Sequence, residues 1–201
     1  WSGIVPPERA ARVVERLMAP DMWSGWGIRT LSADHVSFNP YAYQLGAVWP
    51  HDNSIIALGF KRYGFGAEAA KIARDISGAA SHFQGNQLPE LYAGTSKDGT
   101  NFPVQYLGAN VPQAWAAGSA FMLLQAMLGL AANAAIGKLY LDPSLPAWLP
   151  DVTIRDLTVG TQNFSIRFVR GETQTHYEVL AGDAGMVERR AFGDACEPVT
   201  T

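Results

Sequence analysis

Three short stretches hold side chains with more chemical capacity than packing alone requires. WSGWGIRT, residues 23–30, sets Trp23 and Trp26 around Gly25 and Gly27 and ends near a lone cation, Arg29. The glycines allow backbone to approach a partner closely, and the indoles offer broad flat faces. GAVWPHDNS, residues 46–54, crowds Trp49, His51, Asp52 and Asn53 ahead of the apolar run IIALGF. QLPELYAG, residues 87–94, holds Glu90 in an otherwise uncharged setting. Flat aromatic area with dense hydrogen-bonding groups is the mixture that binds sugars, the rings lying under C–H faces and the polar groups meeting neighbouring hydroxyls. A carboxylate flanked by Leu and Pro is poised for partial desolvation, which raises its pKa and suits it to proton transfer. Each stretch also has a plainer reading. Arg29 can pair with an acid or a helix end, Asp52 and Asn53 can cap a helix, and Glu90 can sit at the surface.

The elements that must position these residues follow from periodicity. Pro7 to Ala19 puts Ala10, Val13, Val14, Leu17 and Met18 on one face and Glu8, Arg9, Arg12, Glu15 and Arg16 on the other, which predicts a helix entered at Pro7 and stopped by Pro20. Further helices are predicted over about 52–63, 66–82 and 112–130. The first and third are amphipathic, and the second and fourth are almost wholly apolar. That alternation predicts helical hairpins in two layers, inner helices buried all round and outer ones wet on one side. After Asp142 the pattern becomes alternating. VTIRDLTV, NFSIRFVR and THYEVLAG predict a small antiparallel sheet with Val152, Ile154, Leu157, Phe164, Ile166 and Phe168 facing inward. The predicted organisation is a helical part over 1–141, a β extension over 142–182 and a polar, fraying tail over 183–201.

Composition narrows the function classes. The chain has 201 residues, 48% of them hydrophobic and 16% charged, enough for a sizeable core. A net charge of −3 and the lack of any Lys/Arg-rich run argue against nucleic acid as a partner. There is no CxxC pair, HExxH motif or Gly-rich phosphate loop, so no metal or other cofactor is expected. Cys196 stands alone and cannot form an internal disulfide. Gly99 to Gly137 contains no charged residue, but Gln113, Gln125, Asn133 and the missing basic flanks favour a buried helix over a membrane span. No export signal is visible, so a cytoplasmic location is expected. The chain starts on Trp1 rather than Met, which suggests part of a longer protein.

The segments WSGWGIRTLSADH, NPYAYQLGAVWPHDNSIIALGFKRYG, QLPELYAG and PQAWAAGSAFMLLQAMLGL resemble the C-terminal half of bacterial glycogen-debranching-type proteins over about residues 20–180. That group, the amylo-α-1,6-glucosidases, has kin among glucoamylase-like and mannosylglycerate-hydrolase-like glycosidases. The resemblance implies a mostly α fold, a partial (α/α)6 toroid followed by a small antiparallel sheet. It also implies inverting hydrolysis of an α-glucosidic bond by two carboxylates. Glu90 takes the place of the base, and Trp49, His51, Asp52 and Asn53 that of the sugar-site wall, with Trp26 and Arg29 beside them. The expected partners are an α-glucan or oligosaccharide and a missing N-terminal half of the same protein. Two departures stand out. Gln44 and Leu45 occupy a stretch where the family carries a His and a polar residue. The family's acid, an Asp of the earlier half, has no counterpart here, since neither Asp34 nor Asp52 matches its motif. With one carboxylate of the pair, the chain alone is expected to be inactive.

Overall fold

In a computed structural model, residues 1–196 are described, and the last five positions of the predicted tail lie outside them. Four helices occupy the first two thirds: α1 (Pro7–Leu17), α2 (Pro50–Arg62), α3 (Gly66–Ala80) and α4 (Ala114–Leu128). α2 begins two residues before the predicted start because Pro50, with its ring-fixed φ and no N–H to leave unpaired, takes the first helical position. Asp52 and Asn53 therefore lie inside the first turn and not ahead of it, and no side chain caps this end. α4 ends where its apolar run ends, at Gly129 in the left-handed region (φ 58°), whose N–H donates to the Gln125 carbonyl.

The remainder is β. A hairpin of β1 (Ala131–Asn133) and β2 (Lys138–Leu141) precedes the meander β3 (Asp151–Val159), β4 (Gln162–Arg170) and β5 (Thr175–Ala181). The chain then returns to lay β6 (Val187–Arg189) parallel to β2, completing two three-stranded sheets. A parallel partner needs a long crossover, and the meander is that crossover. A last helical turn, α5 (Phe192–Ala195), buries Phe192 in the helical core. The region expected to fray thus contributes a strand and an anchor. The aromatic at 192, among small and charged neighbours, is what holds it.

The expectation of a mostly α chain and a partial (α/α)6 toroid is overturned. Helix accounts for 33% of the structure and strand for 21%. α2, α3 and α4 pack on one another as a group of three, and no ring is evident. The physical reason lies in α4. An inner helix of a toroid is covered all round, whereas α4 buries Ala116, Ser119, Leu123, Ala126 and Met127 and leaves Trp115 and Phe121 48% and 77% exposed. An uncharged sequence was compatible with either arrangement, because composition without periodicity does not say which faces are covered. No described helix is long and apolar enough to cross a membrane.

Two apolar clusters meet at the end of α4. The helical one contains Trp26, Val48, Leu58, Ile72, Ile76 and Tyr92. The other sets Phe164, Ile166 and Phe168 of β4 against Leu128, Leu139 and Leu141. Full burial of each such side chain is worth about 1.5–3 kcal/mol. A polar tie joins the two halves: the buried Lys61 ammonium lies 2.9 Å from Asp142, whose carboxylate also accepts from the Phe192 N–H at 3.2 Å. The turn at Gly129 positions this junction, since a Cβ there would fall 2.5 Å from the Asp142 carbonyl oxygen. Gly129→Ala combines a disfavoured φ with that clash and is expected to lower unfolding stability by about 2 kcal/mol, measured by urea denaturation.

Candidate active site

The three stretches singled out by their chemistry meet without forming a regular sheet. Single antiparallel bridges link Arg29 to Val48, Val48 to Tyr92 and Tyr92 to Gln105, so four loop segments run side by side. Val48 and Tyr92 exchange backbone hydrogen bonds of 2.9 and 3.1 Å. The same path holds Thr30 N–H on the Ala47 carbonyl and Ala93 N–H on the Val104 carbonyl. Two glycines let the second and third segments touch. A Cβ on Gly94 would lie 1.8 Å from the Gly46 carbonyl oxygen, so these backbones are in contact with no room for a side chain.

Alternation along these segments sends neighbours to opposite sides. Val48 and Tyr92 enter the helical core, while Trp49 and Leu91 join Ala47 in a small separate cluster with Tyr106 and Ala109. Glu90 lies beside this second cluster and is 5% exposed. Its Oε1 accepts from the Tyr43 hydroxyl at 2.6 Å, and its Oε2 accepts from the Asn110 side-chain amide at 3.1 Å and the Asn110 N–H at 3.3 Å. Tyr43 also packs edge-on against Trp49 at 4.7 Å, and its carbonyl accepts from the Trp49 indole at 3.0 Å. His51 stacks on Trp115 at 4.2 Å, its Nε2 lies 3.1 Å from Asp52, and its buried Nδ1 has no partner among the described residues.

The electrostatics of Glu90 differ from those expected from its neighbours in sequence. Burial raises its pKa, but donation from Tyr43 outweighs burial, and Asn110 and the nearby His51 act in the same direction. The net shift is downward, so the carboxylate is held ionised. An ionised carboxylate can accept a proton from water, and this environment does not suit it to serve as a standing acid.

The sequence-selected residues thus separate into two groups. Trp49 and Glu90 meet at Tyr43, and His51 adjoins Trp49 with Asp52 at its outer side. Trp26, Arg29 and Asn53 lie behind them, with their polar atoms turned mostly to the protein. Asn53 is fully buried; its Oδ1 accepts from Ile28 N–H at 2.7 Å, and its Nδ2 donates to the Ile28 and Trp49 carbonyls at 3.1 and 2.9 Å. Arg29 donates to the carbonyls of Gly94, Pro20 and Asp21 and to the Ser96 hydroxyl. Trp26 is 3% exposed, with the Lys97 ammonium 4.1 Å from its ring centre and its indole N–H unpartnered among the described residues. Tyr43, Asn110 and Trp115 were not among the residues selected from sequence. Tyr43 stands in YAYQ as one of two aromatics with nothing to distinguish it, and Asn110 gives no local signal at all.

Replacing Asn53 with Ala removes every one of its backbone ties and strands buried polar groups, for an expected loss of about 3 kcal/mol in thermal or urea unfolding. For Tyr43→Phe the sign follows from linkage. A carboxylate whose pKa is depressed by folding stabilises the fold above its unfolded-state pKa and ceases to do so as pH falls through its folded-state value. Removing the hydroxyl raises the folded-state pKa of Glu90. Its NMR titration midpoint is expected to move up, and the stability it contributes at neutral pH to shrink.

A model of the mannosylglycerate hydrolase MGH1-like glycoside hydrolase domain matches residues 1–101, half of the chain. The matched stretch contains WSGWGIRT, GAVWPHDNS and QLPELYAG, and it ends before Asn110 and Trp115. No curated protein matches the chain. The glycoside hydrolase part of the resemblance therefore stands, without the restriction to glycogen debranching. The chain belongs to the mannosylglycerate hydrolase MGH1-like glycoside hydrolase domain family.

Proposed function

We propose that this domain serves in hydrolysis of an α-glucosidic bond with inversion, Glu90 acting as the general base. The observation that carries the reading is the Glu90 carboxylate itself, buried beside Trp49 yet kept anionic by Tyr43 and Asn110. In the step assigned to it, Glu90 takes a proton from water as the water oxygen bonds to the anomeric carbon. The bond from that carbon to the leaving oxygen breaks, and an acid on the opposite face gives the leaving oxygen its proton. Trp49 offers apolar area for a pyranose ring, and His51 and Asp52 offer polar groups for its hydroxyls.

The opposite-face acid is assigned to a partner segment, an N-terminal half of the same protein. Among the described residues, the hydrogen-bond partners of the Glu90 carboxylate are Tyr43 and Asn110, neither of them a carboxylate. Asp34 is exposed, and Asp52 lies against His51. An inverting pair stands about 6.5–9.5 Å apart to leave room for the water, so the acid must stand at that distance from Glu90. The substrate assigned is an α-1,6 branch of a glycogen-like or short α-glucan. The name of the matched family supplies the comparison compound, mannosylglycerate.

Glu90→Gln, in the protein together with its upstream half, keeps the shape and removes the basic oxygen. Hexose release from a branched α-glucan is expected to fall by about 10³-fold or more. Unchanged turnover removes Glu90 from the mechanism, and faster release from mannosylglycerate than from the glucan overturns the substrate. The engagement of both Glu90 oxygens within the protein favours a second reading, a carbohydrate-binding module of this family without catalysis. In that case the wild-type protein binds sugar with no turnover.

A further inference from the structure

We infer that the cavity between the end of α2, the start of α3 and the β4–β5 turn binds a phosphorylated sugar, its phosphate held by Lys61, Arg170 and Arg189. The cavity has a volume of about 720 Å³ and is lined from both the helical and the β parts of the chain. That volume lies within the range of small-ligand sites. It is separate from the Glu90 site. Trp49, His51 and Asp52 flank the start of α2, and Lys61 lies near its end, roughly 15 Å away along the helix. The inference therefore does not depend on the glycosidase reading.

The first observation is a buried cation with a donor left over. Lys61 is 5% exposed, and an ammonium carries three N–H groups. Asp142 accepts one at 2.9 Å and the Ser144 hydroxyl another at 3.3 Å, which leaves the third without a partner among the described residues. The Asp142 carboxylate is itself shared, since it also accepts from the Phe192 N–H. Gly66 keeps the approach open, because a Cβ there would fall 3.0 Å from the Ser144 hydroxyl oxygen and 3.9 Å from the Lys61 nitrogen. An unmet donor on a buried charge is costly, and an oxyanion in the cavity satisfies it.

The second observation is a pair of arginines on the same cavity. Arg170 is exposed, and its guanidinium makes no hydrogen bond or ion pair among the described residues. Its backbone is nevertheless fixed: its N–H donates to the Pro150 carbonyl at 2.8 Å, and Gly171 N–H closes the turn on the Gln174 carbonyl at 2.9 Å. Arg189 donates to the Thr175 carbonyl at 2.7 Å, while the Thr175 hydroxyl accepts from Leu145 N–H at 2.8 Å, so Thr175 ties this arginine to the cavity wall. Planar guanidinium forks match phosphate oxygens two at a time.

The charges select the class of ligand. Three cations, Lys61, Arg170 and Arg189, stand against two carboxylates, Asp142 and Glu172. The cations favour a phosphate, whereas the carboxylates repel a bare anion and accept readily from hydroxyls. A molecule that joins a phosphate to a set of hydroxyls satisfies both.

Calorimetric titration of the full chain with glucose 6-phosphate, inorganic phosphate and glucose tests the assignment. Arg170→Gln removes a cation without a partner, so the variant should fold, and its melting curve checks that it does. Arg155→Gln removes an exposed arginine of β3 outside the cavity and serves as the control. Glucose 6-phosphate is expected to bind at least about tenfold more tightly than either inorganic phosphate or glucose. Arg170→Gln is expected to weaken it by about tenfold and Arg155→Gln to leave it unchanged. Absence of glucose 6-phosphate binding overturns the site. Equal affinity for inorganic phosphate or for glucose overturns the phosphorylated sugar as its ligand. An affinity untouched by Arg170→Gln, or lowered equally by Arg155→Gln, overturns the location.

Discussion

The assembly of this site depends on one amide. Asn53, fully buried in the first turn of α2, holds both polar atoms of Ile28 and the carbonyl of Trp49. Those groups belong to a loop and a helix entry that share no regular strand, and without a partner each would be a desolvated donor or acceptor. Once they are fixed, Val48 is presented to Tyr92 with its backbone free to pair, and the segment that follows Glu90 is in register with the one that carries Trp49. Arg29 repeats the device from the other side, its guanidinium holding carbonyls from two separate stretches of chain. Groups that look chemical in the sequence thus form the frame on which Glu90 is held.

This division of labour accounts for what the sequence could and could not disclose. Glu90 and Trp49 draw attention in the sequence because a charge and an indole in apolar company are rare, and Tyr43 contacts both in the structure. The direction of the Glu90 shift was not legible, since it depends on Tyr43 and Asn110, 47 and 20 residues away, and no local pattern links them. Asn53 was read as a sugar contact because an amide toward ligand and an amide toward backbone look the same in one dimension. The helices α1 and α3 and the three strands of the meander announced themselves by period, and α2 and α4 by apolar runs. The short strands β1, β2 and β6 did not, because three or four residues are too few to establish one and a parallel partner lies far along the chain.

The error in fold class has two sources, the family resemblance and the reading of the apolar helices. α4 is uncharged over its whole length, and an uncharged helix was equated with one surrounded on all sides. In the structure its covered face consists of small and medium residues, while its largest aromatics stand outside: Trp115 stacks on His51, and Phe121 reaches solvent. One apolar helix can therefore support the core on one side and contribute to the site on the other. The hydrophobic content of α4 was legible, and its distribution was not.

The contact between Gly46 and Gly94 has a bearing on how such a site can change. Main chain rests on main chain there, so this contact between the Trp49 and Glu90 segments involves no side chain. Mutation can recolour the lining, ring by ring and hydroxyl by hydroxyl, while the hinge pin between the two walls stays in place. Side chains around Trp49 and Glu90 can then change without moving the segment that carries the carboxylate, whereas a Cβ at Gly94 would strike the Gly46 carbonyl and pry the walls apart.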